Sequence, residues 1–512
     1  MKFLRLALFM IITLGIGFFT NSYAFNGYHG EFYISGALAL IMYTSICMVI
    51  SFSRIASFCV FPFLSLLCVS SEYFYRLTGA PIRYDSIAFL LEADAFEVES
   101  FLSFKLVLFL SLGVLLGILQ AIGAKSVKPA SLKQAAFVLV LVGCGIGVYQ
   151  FSMQYLKDEG YGKIRDRASM SKINPTASFK AVKMYLREEE KVEKLLSLPG
   201  GNELPSSLVF KESDKPIIIF IIGESTRGDH FSINGYHRNT NPYLEKLSSD
   251  SLINYGVAIS FATSTRKSLI GMLTNASTKK RTPSVGSFIT FFNKNNYNTH
   301  FYSVQNKLGR SGYLTDALVS SSKVVEYLKP HGAVSDELLV EKLGRVLPGL
   351  NGNQLILLHT RGSHFSYRDN YQDEYVVFKP DTYTNETLRK ETPNVINAYD
   401  NNMLKVDKTI YDIIDLCKEK NAVVVYASDH GESLGEDGSF FHAQGRPEHH
   451  KIPFLIWTSD KYKELHSDKH NNMVARVGVP VTHDQLFHTM LGLAGIKSPV
   501  IDNSLDLTSV LQ

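Results

Sequence analysis

Three segments place ligand-type side chains directly after short apolar runs. GESTRGDH follows residues 217–222 and carries Glu224; HTRGSH follows residues 354–358 and carries His359 and His364; ASDHGES follows residues 422–426 and carries Asp429 and His430. One acid at a strand end is common. Three such ends converging on one rim would assemble a carboxylate, a carboxylate–imidazole pair and further histidines, a donor set suited to a borderline-hard divalent metal. His442, in GSFFHAQGRPEHH, follows the Asp-His pair closely enough to return to the same rim, whereas His449 and His450 read as exposed. Plainer alternatives stay open at this point: Asp429 capping a turn, His364 on a surface loop, His442 packed behind its two phenylalanines.

Chemistry at such a metal needs a nucleophile, and FATSTRKSLIGML supplies hydroxyls at Thr263, Ser264 and Thr265 just before the apolar spacing Leu269, Ile270, Met272, Leu273. A hydroxyl cluster there is an ordinary helix cap. It is also a place where a helix amino terminus attracts phosphate and where metal coordination lowers a hydroxyl pKa enough for attack. Both roles are compatible.

The elements that must position these residues follow from periodicity. Short strand-like runs at 217–222, 354–358 and 422–426 alternate with amphipathic stretches such as 401–417, which predicts a mostly parallel sheet with helices on its faces. In such sheets ligands gather outside the carboxyl ends of the strands. The first third is different. Uncharged stretches at 32–53, 55–71, 106–124 and 134–156, with a shorter one at 6–20 after Lys2 and Arg5, each approach the roughly 17 to 25 residues that a spanning helix needs. The first could instead be a signal peptide ending at Ser22-Tyr23-Ala24. In both cases the basic residues Arg54, Lys125, Lys128 and Lys133 fall inside and everything after about residue 157 faces the exterior.

The expected organisation is therefore a transmembrane domain at 1–156 with an interfacial segment at 72–105, bridging helices and a linker at 157–209, and an exterior domain at 210–512. Net charge is only +4 over 512 residues, with no long basic tract, which disfavours nucleic acid. Of five cysteines only Cys417 lies beyond residue 144, so the exterior domain has no disulfide framework of its own.

IIGESTRGDHFSINGYHRNTNP, ATSTRKSL, HTRGSH, NAYDNNMLKVD and ASDHGESLGEDGSFFHAQ stand in the order and setting of the bacterial phosphoethanolamine transferases. The chain resembles this family over its whole architecture. The family comprises membrane-anchored members of the alkaline phosphatase and sulfatase superfamily. The resemblance implies about five transmembrane helices followed by an α/β sulfatase-like domain, in a multi-pass protein of the bacterial inner membrane with its catalytic domain in the periplasm. It implies zinc, one or more ions, held by Glu224, Asp429, His430 and Thr265, with Thr265 also the nucleophile. His364 and His442 match histidines placed around the transferred phosphate, Asn306 a polar substrate contact, and Glu97 a residue of the donor site. The implied reaction moves phosphoethanolamine from phosphatidylethanolamine, through a phospho-threonine, to lipopolysaccharide or another envelope glycan.

Some positions depart from the family pattern. Phe89 and Ala93 stand where the donor site has polar residues, and Phe261 and Gly271 stand where polymyxin-resistance members carry cysteines. The latter departure leaves the chemistry intact but opens the identity of the acceptor. A phosphoglycerol transferase, a phosphodiesterase or a sulfatase would use a similar constellation. A sulfatase is disfavoured because no C/S-x-P-x-R pattern offers a formylglycine nucleophile.

Overall fold

Apolar length decides the first part of the chain. The computed structural model describes residues 2–25, 31–78, 81–82, 86–87, 103–129, 131–305, 313–328, 335–384 and 387–510. Within these, α1 (Lys2–Phe19), α2 (Glu31–Ile50), α3 (Arg54–Thr78), α4 (Phe104–Ala124) and α5 (Leu132–Asp158) are followed by α6 (Gly162–Arg167) and α7 (Thr176–Leu196). Tyr33–Ile50, α3, α4 and α5 are long and apolar enough to cross a membrane, whereas α1 offers the shorter apolar stretch Phe3–Phe19. The expected interfacial segment at 72–105 lies mostly outside the described residues. By contacts the chain divides into two units, Met1–Arg187 and Glu188–Gln512.

Small residues let the first unit's helices close. A methyl added at Gly117 of α4 would lie 2.4 Å from the Pro62 Cα of α3. One buried amide joins four helices: Gln120 Nε2 donates to Thr13 Oγ1 at 2.8 Å and lies 3.3 Å from Cys47 Sγ, while Ser65 Oγ donates to Gln120 Oε1 at 3.4 Å. Neutral polar contacts of this kind fix helix pairing without a charge to desolvate.

In the second unit, seven strands form one sheet: β1 (Ile217–Gly223), β2 (Leu252–Ile259), β3 (Asn298–Ser303), β4 (Val324–Tyr327), β5 (Gln354–His359), β6 (Ala422–Ser428) and β7 (Lys451–Thr458), in the spatial order β2-β7-β6-β1-β5-β3-β4. The three runs singled out in the sequence are the adjacent parallel strands β6, β1 and β5. Each is buried along its whole length, as a strand covered on both faces must be. Burying one such isoleucine contributes about 2 kcal/mol. The sheet is mixed at one side, because β7 runs antiparallel to both β6 and β2. Two helices matter for the site, α8 (Thr265–Leu273) and α9 (Thr392–Cys417).

The segment leading into α8 is tied to the end of β6 by one imidazole. Phe261 donates its backbone N–H to His483 Nδ1 at 3.1 Å, so His483 Nε2 carries the proton and donates to the Ser428 carbonyl at 2.8 Å. Complete burial pushes His483 down to about 4. The unfolded chain, with an ordinary histidine pKa near 6.5, binds this proton first as pH falls. The contribution is thus present in full above about pH 6.5 and lost towards pH 4, by about 3 kcal/mol. In denaturant titrations of the full chain followed by Trp457 fluorescence, we expect the stability advantage over His483→Gln to shrink by about that amount across the window.

Candidate metal centre and nucleophile

Backbone hydrogen bonds lace the three strand ends together and aim their side chains at one point. Past β1, Ser225 adopts φ 54° and donates its N–H to Asp429 Oδ1 at 3.0 Å, and Thr226 N–H donates to Ser428 Oγ at 2.8 Å. Ser363, past β5, donates its N–H to the Glu224 carbonyl at 2.8 Å. Gly362 makes this approach feasible: its φ is 51°, and a methyl there would lie 2.6 Å from the same carbonyl. From α9, the Tyr399 hydroxyl donates to the Ser225 carbonyl at 2.7 Å and accepts from Arg227 N–H at 2.9 Å, clamping the β1 turn from behind.

Thr265 is the first residue of α8, after Ser264 at the cap. Its hydroxyl does not serve the helix end. Oγ1 donates to Glu224 Oε2 at 3.0 Å and lies 3.3 Å from His430 Nε2. His430 Nδ1 donates to the Gly431 carbonyl at 2.9 Å, which fixes the tautomer and leaves Nε2 as a bare lone pair. That lone pair faces Glu224 Oε1 at 3.5 Å and Asp429 Oδ2 at 3.3 Å. Asp429 Oδ2 is buried without a hydrogen-bond partner. Thr265 has a single proton, already given to Glu224. Oxygens of both acids, Nε2 and the threonine oxygen therefore converge with too few protons between them. Such an arrangement fits a divalent cation, and Glu224, Asp429 and His430 lie close enough together to share one.

The electrostatics agree with this donor set. Burial raises both carboxyls; the imidazoles of His430, His364 and His442 outweigh it at Glu224 and hold that group well below the usual range. At Asp429, burial and the Glu224 charge together push the carboxyl well above it. A bound cation would offset the Glu224 charge and favour the ionised carboxylate of Asp429. Burial and the neighbouring His442 push His430 down to about 3, keeping it a neutral ligand type. Burial opposes charge on His442, but the Glu432 carboxylate 3.1 Å from its Nδ1 lifts it to about 9.

Of the residues expected from sequence, the structure brings together Glu224, Thr265, Asp429 and His430, and places His442 and His364 beside them. The His430 and His442 rings lie 4.2 Å apart between centroids, and those of His364 and His442 6.1 Å. His364 Nδ1 donates to the Phe365 carbonyl at 2.7 Å, which assigns the ring proton to Nδ1. Asn306 and Glu97, with Phe89 and Ala93, lie outside the described residues. His359 is fully buried, pushed down to about 4 by that burial, with Nδ1 3.2 Å from Ser303 Oγ. His449, read as exposed, is instead fully buried, its Nε2 2.7 Å from Ser433 Oγ, because the turn after Arg446 folds it under the loop.

Two members of the site escaped the sequence reading. Glu432 is buried, and with His430 and His442 it forms a second close group of ligand atoms. Gln305 Nε2 donates to Glu224 Oε2 at 3.1 Å and to the Thr360 carbonyl at 2.7 Å, bridging two strand ends. Glu432 stood in view inside DHGES; nothing local marks Gln305. The Phe261 ring packs on Gly271 so closely that a methyl there would lie 2.3 Å from it.

The sulfatase family model matches residues 216–496. The Kdo(2)-lipid A phosphoethanolamine 7''-transferase of Salmonella typhimurium is 32% identical over 306 residues, 56% of this chain and 53% of that protein. The chain thus spans about half the length of the curated relatives it matches in this way. The integral membrane lipooligosaccharide phosphoethanolamine transferase A of Neisseria meningitidis shares the fold, with TM-score 0.82 and 22% identity over 98% of both chains. So does the C-terminal periplasmic domain of EcEptC from Escherichia coli in complex with Zn, with TM-score 0.52 and 24% identity over 60% of this chain and 90% of that one.

Proposed function

The chain belongs to the sulfatase family, and we propose that it is a membrane-anchored transferase that moves phosphoethanolamine from phosphatidylethanolamine to lipopolysaccharide or another envelope glycan. One observation carries this function: the Thr265 oxygen lies 3.0 Å from Glu224 and 3.3 Å from His430, at the mouth of the buried donor set. In the first step Thr265 Oγ1 attacks phosphorus, the bond from phosphorus to the diacylglycerol oxygen breaks, and diacylglycerol leaves with a proton. Phosphoethanolamine then sits on Thr265 until an acceptor hydroxyl or phosphate attacks and restores the threonine. The hydrogen bond from Thr265 Oγ1 to Glu224 Oε2 orients the hydroxyl for attack. The cationic His442 neutralises phosphoryl oxygens, and His364 beside it exchanges a proton with the leaving or entering group.

Zinc suits two carboxylates, an imidazole and a hydroxyl, and a relative of the same fold is described as a zinc complex. When bound, zinc would supply Lewis acidity at the nucleophile and at the phosphoryl oxygens. Residues 1–156 anchor the chain in the bacterial inner membrane, 157–209 bridge, and 210–512 work in the periplasm. The anchor has a physical reason: donor and diacylglycerol both reside in the bilayer.

Mass spectrometry of envelope glycolipids with and without the gene should show a species heavier by one phosphoethanolamine unit. Release of free phosphoethanolamine into water, with no glycolipid changed, would assign a hydrolase instead. Strong chelation should abolish transfer and zinc restore it; transfer that survives metal stripping contradicts the ligand assignment.

A further inference from the structure

We infer that α7 is an interfacial helix that docks its first turns on an acidic phospholipid surface. This rests on the reading of the amino-terminal helices as membrane-spanning. The helix carries three distinct faces. Ala177, Ala181 and Tyr185, spaced by four, are buried, and Ile87 packs on Tyr185. Phe179, Val182 and Leu186 are 50%, 40% and 58% exposed. At 3.6 residues per turn they fill one arc of about 60°. Lys180, Lys183 and Arg187, all exposed, form the next stripe round the helix. Single exposed apolar side chains need no explanation, but a solvent-facing apolar arc flanked by a basic stripe is the pattern of a helix that lies in a headgroup layer.

The helix also begins at the right level. Asn174 N–H donates to Asn21 Oδ1, and Asn174 Nδ2 donates to the Thr20 carbonyl, both at 2.6 Å, just past the end of α1. Tyr149 of α5 donates to the Ala168 carbonyl at 2.8 Å, holding the preceding turn to the same end of the bundle. Phe179, five residues beyond Asn174, is thus within about 8 Å of that end along the helix. The apolar arc meets the headgroup–acyl boundary, and the three cations answer lipid phosphates that bear a net negative charge. Each basic residue near such a surface shifts the docked-to-free ratio about fivefold, and three together about a hundredfold.

The test uses the chain's single tryptophan, Trp457, which is 6% exposed and sits in β7. Phe179→Trp in the full chain, reconstituted in nanodiscs of brominated lipids with and without phosphatidylglycerol, should be quenched well beyond the Trp457 background. Quenching should deepen with phosphatidylglycerol and fall to background when Lys180, Lys183 and Arg187 are all changed to Glu. A Leu112→Trp control on the lipid-facing side of α4 reports whether the bundle is in the bilayer at all. Control quenched with Phe179→Trp unquenched overturns the docking alone; neither quenched overturns the spanning reading as well. Blue-shifted but unquenched emission would mean that protein covers the arc, and quenching indifferent to phosphatidylglycerol would overturn the acidic-lipid assignment.

Discussion

Thr265→Ala should lower head-group transfer by at least about 10⁴-fold, the scale on which loss of a covalent nucleophile acts, without unfolding the protein. The threonine is half-buried at the first position of α8, and its hydroxyl makes no capping bond. Alanine suits a helix there, so the expected stability change is within about 1 kcal/mol. What disappears is the oxygen 3.0 Å from Glu224 Oε2. Labelled phosphatidylethanolamine gives two readouts: transfer to the glycolipid, and a phosphoethanolamine adduct on the peptide carrying residue 265 when acceptor is withheld. The parent should show both and the variant neither, while Thr265→Ser, which keeps a hydroxyl, should retain part of each. Undiminished transfer by Thr265→Ala would remove residue 265 from the chemistry.

That the chemistry could be read from residue order has a physical basis, and so do the failures. Residues 217–222, 354–358 and 422–426 announce strands because a parallel strand buried on both faces must be apolar throughout, and their polar ends then fall on one edge by topology alone. β7 lacks that signature. Lys451–Thr458 contains Pro453, which argues against an interior strand, yet β7 lies between β2 and β6. The ladder tolerates the proline because the register with β2 shifts between Pro453 and Leu455. Within the site, residues were legible when their motif neighbours shared their task. Glu432 acts on His442 across a loop, and Gln305 reaches Glu224 from a separate strand; both depend on distances that spacing does not encode. His449 misled for the opposite reason: a polar, charged neighbourhood in sequence became a buried turn once Ser433 and Arg446 closed over it.

Asp429→Asn should separate the metal's contribution from the fold's. Asp429 Oδ1 accepts two backbone N–H groups, from Ser225 at 3.0 Å and from His430 at 2.7 Å. These donors demand an oxygen at that position, so an asparagine must turn its carbonyl towards them and place its NH2 where Oδ2 now stands. There it meets the His430 lone pair 3.3 Å away. It therefore offers hydrogen-bond donors to atoms that otherwise face one another without protons. The variant also removes one of two fully buried carboxyls; burial, with the Glu224 charge beside it, pushes Asp429 well above its usual range. The metal-free variant should consequently be at least as stable as the metal-free parent. The cation site, in contrast, loses a charged ligand and gains a donor aimed into it. Zinc stoichiometry by elemental analysis should drop, and transfer should fall at least about 10³-fold. A metal held at about a thousand times its dissociation constant stabilises the native state by about 4 kcal/mol. The parent should thus melt well above its chelated form, and Asp429→Asn should melt at one temperature with or without zinc. If the variant keeps the parent's zinc-dependent shift, the cation is bound elsewhere and the buried acid pair has another purpose.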